Sequence, residues 1–141
     1  MPVIIVLGVV LAALLVARNR LAVVTVRGES MVPTLRPGDR VLLLRTRRLR
    51  RGRIVVLEPI GPGLRWRKGP IPAPADGEWL VKRLTALPGD PTPAEVAEGP
   101  VPRGHLVVLG DGKVSADSRL WGYVPADRVL GIVIYTLVRT S

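Results

Sequence analysis

Residues 1–17 (MPVIIVLGVVLAALLVA) carry no polar side chain, and Arg18-Asn19-Arg20 ends the run abruptly. As a helix the segment would span about 25 Å at about 1.5 Å per residue, the low end of what crosses the hydrocarbon core of a bilayer. It has no polar face to offer water, as a soluble surface helix needs. A removable signal peptide would carry a charged stretch before the apolar run and small residues at the cleavage spacing, and neither pattern is evident. The pattern predicts an uncleaved transmembrane anchor over residues 1–20 and a single domain over residues 21–141.

Beyond Arg20 the apolar runs are short, β-branched and separated by turn residues. Residues 21–27 (LAVVTVR) read as a strand, and Arg36-Pro37-Gly38-Asp39 as a turn. Residues 40–45 and 53–60 are two further strand-like runs. Residues 61–77 (GPGLRWRKGPIPAPADG) are too rich in Pro and Gly for a central strand and predict an exposed excursion or hairpin tip. Residues 78–87 form a strand closed by Pro88-Gly89-Asp90, residues 106–109 a short buried strand, and residues 128–138 (RVLGIVIYTLV) the last one, with Gly131 marking a bulge or a close approach. The fold is mainly β. Composition agrees, since 48% hydrophobic residues with only 4% aromatic and 14 prolines suit aliphatic strands and rigid loops better than a helical bundle.

Formal charge is +10, and six arginines crowd into residues 45–53 (RTRRLRRGR). Such a cluster attracts any polyanion; a solvated loop between two strands is the plain reading, lipid contact the next, and nucleic acid a distant third. The absence of cysteine removes disulfides and thiol chemistry, and a single histidine leaves only scattered carboxylates to ligate a metal. No metal or other cofactor is implied.

What chemistry remains is narrow. Arginine does not lose its proton in water, so a nitrogen base must be one of three lysines, His105 or the amino terminus. Ser30 lies in Gly28-Glu29-Ser30-Met31-Val32-Pro33-Thr34-Leu35, where a turn after an apolar strand would expose its hydroxyl. Alone, a serine there is a turn or cap residue. Lys82, flanked by Leu80, Val81 and Leu84, would leave a half-buried strand into apolar surroundings, and desolvation would lower its pKa toward the working pH. A neutral lysine can accept a serine proton. In a third block, residues 110–125 (GDGKVSADSRLWGYVP), Ser115 is placed to orient the amine, while Asp111, Asp117, Arg83 and Arg119 form ion pairs that hold the loop. His105 is expected in a surface turn before the strand at 106.

The three blocks together resemble the bacterial type I signal peptidases, membrane-bound Ser-Lys proteases. The matching motifs are G-x-S-M-x-P-T-L at 28–35, G-D-R-V at 38–41, V-K-R with P-G-D over 81–90, and G-D with S-x-D-S-R-x-W-G over 110–122. The resemblance implies a signal-peptidase or LexA-like antiparallel β-barrel-type catalytic domain behind one transmembrane helix. It further implies Ser30 as nucleophile, Lys82 as general base, Ser115 as the lysine's hydrogen-bond partner, and an oxyanion site made by backbone amides at Ser30 and around Gly28. The substrates it implies are preprotein signal peptides, bound as an added strand, with Val26, Met31, Leu35, Leu80 and Val81 lining shallow pockets for small residues. Gly112 stands where an asparagine is common, and the short stretch between Lys82 and the third block indicates a compact form. The implied location is the cell membrane, with the domain on the extracytoplasmic face and in contact with membrane lipids. Arginines after the anchor pull the other way, although long domains are translocated despite flanking charge. Within the same catalytic class the chain also resembles dedicated maturation proteases, such as those acting on a nickel superoxide dismutase precursor. A LexA-type repressor would carry a DNA-binding unit where the apolar segment stands, and a non-catalytic basic membrane-tethered module is the reading from a different class.

Overall fold

Residues 1–71 and 78–138 are described by a computed structural model. Pro2–Arg20 form helix α1, which starts on a proline whose missing N–H is not needed there and ends with Arg18 and Arg20 facing the negative end of the helix dipole. None of its residues is buried, and it is long and apolar enough to cross a membrane. Extended backbone at Leu21 stops it, and the chain passes directly into β1.

The strands are β1 (Leu21–Thr25), β2 (Arg40–Leu44), β3 (Ile54–Leu57), β4 (Leu80–Ala86), β5 (His105–Leu109), β6 (Val124–Pro125) and β7 (Val129–Val138), with a short helix α2 (Ser118–Trp121) between β5 and β6. They build one seven-stranded antiparallel sheet in the order β1-β2-β7-β3-β4-β5-β6. β7 therefore lies between β2 and β3, and the arginine-rich residues 45–53 connect those two strands across it. Leu49 packs onto the core beneath, and Arg53 Nη2 donates to the Val133 carbonyl at 3.1 Å.

Alternation along the central strands sorts the core into two faces. Val56 and Val81 join Val24, Val26, Met31, Leu35, Val41, Leu43, Trp79 and Leu130 on one side, while Val55 and Leu57 join Leu84, Leu106, Val108, Val124 and Val129 on the other. Both sides of β3 and β4 are covered, so these strands read as continuous apolar runs rather than an alternating pattern. Gly131 allows the β2–β7 approach: a Cβ there would strike the Leu44 carbonyl. The β3–β7 register shifts beside it, between Val56↔Gly131 and Leu57↔Val129.

Several elements differ from the sequence reading. β3 ends at Leu57, because Pro59 offers no N–H and the Glu58 N–H turns to the Arg128 carbonyl at 3.0 Å. His105 is not in a turn before the strand but is its first residue, paired with Pro125 and with its ring edge-on to Tyr123. The stretch from Gly61 does not project freely. A 3-10 turn at Pro62–Leu64 folds it back, Gly61 bridges Arg65, and Trp66 packs on the second face of the core. Residues 72–77 of the expected excursion, and 139–141 at the end of the expected domain, lie outside the described residues.

Candidate active site

Lys82 is the third residue of β4, opposite Val55 of β3, and has only 4% of its surface exposed. Residues two apart on a strand share a face, so its side chain leaves on the side of Leu80 and Leu84, the side of the second core cluster. Its Nζ meets the Ser115 hydroxyl at 3.2 Å and stands 5.9 Å from the Trp121 ring centroid. Desolvation pulls the amine's pKa below its ordinary value; Asp117 opposes that shift and Arg119 adds to it. An indole face favours a cation by about 0.5–1 kcal/mol at exposed sites. Desolvation by burial is the largest influence on the amine, so its pKa stays below the ordinary value despite the ring.

Ser30 lies in the connection between β1 and β2. The ends of that connection are fixed by Val26, which accepts from Gly38 N–H at 2.9 Å and donates to the Asp39 carbonyl at 2.7 Å. Met31 and Leu35 are buried beneath it, with Leu35 N–H closing a turn onto the Met31 carbonyl at 2.9 Å. Gly28, at φ +74°, takes the left-handed conformation that turns the chain out of β1. The Ser30 carbonyl accepts the Gly112 N–H at 2.7 Å. A Cβ at Gly110 would collide with both the Ser30 carbonyl and the Ser115 hydroxyl, so the serine backbone and the lysine's partner converge on one point. Among the described residues the Ser30 hydroxyl and backbone N–H have no hydrogen-bond partner.

Two carboxylates hold these pieces in register. Asp111 receives Arg83 as a fork, Nε at 2.8 Å and Nη2 at 2.7 Å, and also the Thr34 hydroxyl at 2.7 Å. One side chain thus ties the lysine strand to the serine loop. The Arg83 hydrogen bond, first among its causes, keeps the Asp111 carboxyl below its usual range. Asp117 is fully buried and caps α2, accepting Arg119 N–H at 3.1 Å, Arg119 Nη2 at 2.7 Å and Gly110 N–H at 2.8 Å. Burial pushes its carboxyl up, but hydrogen bonds from Arg119, from the Gly110 and Arg119 amides and from Ser115 bring it down to about 2.

Four of the five residues expected to line substrate pockets, Val26, Met31, Leu35 and Val81, are buried together in the first core cluster; Leu80 packs on the second. The five thus divide between the two faces of the core. Among the described residues no group of three or more His, Cys, Asp or Glu side chains converges as a metal site.

The family model described as signal peptidase, peptidase S26, matches residues 2–94 and 91–138. The chain belongs to that family. A relative from Leptolyngbya laminosa described as signal peptidase I is 30% identical over 131 residues, covering 73% of this chain and 62% of the relative. A probable signal peptidase I-2 from Synechocystis sp. is also 30% identical over 131 residues, covering 73% of this chain and 56% of the relative. The chain thus spans about three-fifths of the length of the curated relatives it matches. Thr34, bonded to Asp111, and Trp121, beside the Lys82 amine, adjoin the candidate residues and were not singled out from the sequence, although both lie inside the quoted blocks. Glu58, Arg67 and Arg128 were also missed. Glu58 Oε2 accepts Arg128 Nη1 at 2.7 Å across 70 positions of sequence, a pairing no local spacing signals.

Proposed function

We propose that this chain is a membrane-anchored serine endopeptidase that removes signal peptides from exported preproteins after small residues. Family membership supports a peptidase acting on signal peptides. The observation that carries the reading is the Lys82 amine, desolvated, bonded to Ser115 and beside a loop latched to the Ser30 carbonyl. In this scheme Lys82 Nζ accepts the hydroxyl proton of Ser30 as Oγ attacks the scissile carbonyl. The tetrahedral oxyanion takes hydrogen bonds from the free Ser30 amide and a neighbouring amide near Gly28. Collapse expels the new amino terminus with the proton from Lys82 and leaves an acyl-serine. Neutral Lys82 then takes a proton from water, which attacks the ester and releases the acyl group. Ser115 holds the amine in position throughout.

The substrate adds as an extended strand alongside the β1 end and the start of β4, where backbone hydrogen bonds fix its register. Residues 1–20 serve as a single-pass anchor in contact with membrane lipids, and residues 21–141 work on the extracytoplasmic face. Ser30→Ala and Lys82→Ala each abolish cleavage of a peptide carrying an Ala-x-Ala site, whereas His105→Ala retains it. Labelling of Ser30 by a serine-reactive lipopeptide separates an enzyme from a mere binder. Full activity in the Lys82 variant would end the dyad reading.

A further inference from the structure

Glu58 and Arg128 flank the end of the β3–β7 ladder, one residue past Leu57 and one before Val129, and both are almost wholly buried. Glu58 takes Arg128 on one oxygen and Arg67 Nη2 on the other at 2.5 Å. Each arginine passes a further N–H to the returning chain: Arg128 Nη2 to the Gly69 carbonyl and Arg67 Nη2 to the Pro70 carbonyl at 2.8 Å. A buried ion cluster is weak evidence for stability, because desolvation offsets most of the attraction. What this one fixes is a place. Trp66 lies between the 3-10 turn and these tethers, and its ring meets Trp121 edge-on, with centroids 5.7 Å apart at 87°. Trp121 is the ring beside the Lys82 amine.

We propose that Trp66 is a positioning residue for the lysine: docked on Trp121 by the Glu58–Arg128–Arg67 cluster, it completes the apolar wall that keeps water from the amine. The inference rests on the reading of Lys82 as general base. The charged groups facing that amine are Asp117 and Arg119, with the Ser115 hydroxyl as its hydrogen-bond partner. None of these is altered by changing Trp66. Opening the wall hydrates the amine and raises its pKa, so less of it is neutral at a given pH.

The test uses the full chain in detergent micelles, with kcat/KM for an Ala-x-Ala peptide measured across pH and the Lys82 amine titrated separately by NMR. Trp66→Ala should move the acid limb and the amine titration upward together by about one unit, a loss of about tenfold below the limb and none above it. Trp66→Phe, which keeps an apolar ring, should show little of this shift. Arg67→Lys keeps the charge but loses the planar guanidinium that reaches both Glu58 and the Pro70 carbonyl, and should shift both readouts the same way by less. Since the Arg67 side chain is half exposed, this variant tests the inference even if Trp66→Ala fails to fold. A loss equal at every pH, or an amine titration unmoved in both variants, overturns the inference. An amine that titrates at its ordinary value in the unaltered chain overturns instead the dyad reading beneath it.

Discussion

The Gly112 N–H donates to the Ser30 carbonyl at 2.7 Å, and the contact is so close that a Cβ at 112 would collide with the Glu29 carbonyl and stand 3.1 Å from that of Ser30. The third block rests directly on the serine backbone because this position has no side chain. Gly112→Ala must push the two loops apart, and overpacking of this kind costs about 1–3 kcal/mol. Both the thermal midpoint and kcat should fall, and a crystal structure of the variant should show the 28–35 loop displaced.

Asp111 joins Thr34 to Arg83, so its loss should be felt in two loops at once. Thr34→Val removes one hydrogen bond, worth about 1 kcal/mol. Asp111→Asn should cost more, because it also leaves the Arg83 guanidinium without its charge partner. In a double-mutant cycle on unfolding, the two changes should be less than additive, since they remove the same contact.

Burial holds the Lys82 pKa below its ordinary value, so the folded state penalises the charged amine. Where both folded and unfolded forms bind the proton the penalty is complete, and it fades as pH rises from the folded value toward the unfolded ~10.4. Lys82→Met should therefore abolish cleavage yet raise the thermal midpoint at neutral pH. That gain should shrink as the melts are repeated at pH values approaching 10.

Asp117 has the opposite sign. Its folded pKa of about 2 lies below the ordinary ~3.9, so it contributes about 2 kcal/mol of stability that is complete above pH ~5 and is lost as pH falls through the folded value. Asp117→Asn should flatten the acid limb of stability between pH 5 and 2 while lowering stability at neutral pH. Urea titrations at stepped pH would measure both.

The strands were legible because β-branched runs and Pro-Gly turns mark them locally, and the apolar amino-terminal run is equally local. Their ends were less so. Nothing near Glu58 announces that its N–H turns to a carbonyl 70 residues on, so β3 reads too long. The charged residues 83, 111, 117 and 119 can be named as a set from the sequence, but the pairing of Arg83 with Asp111 depends on β5 lying beside β4. Trp66 was lost in a Pro- and Gly-rich stretch whose composition suggests an exposed tip. Its partner Trp121 stands 55 positions away, and what holds it is a buried ion cluster assembled from three separate segments. Alternation sends Leu80 and Val81 to opposite sides of β4, a division that the apolar run alone does not display.

Strand β7 is the seam between β2 and β3, with Ser30 ahead of the first and Lys82 behind the second. A ribosome makes that seam last of all the described strands. Within the sheet, the strands that flank the serine loop and the strand that carries the lysine are joined only through the last described strand in the sequence.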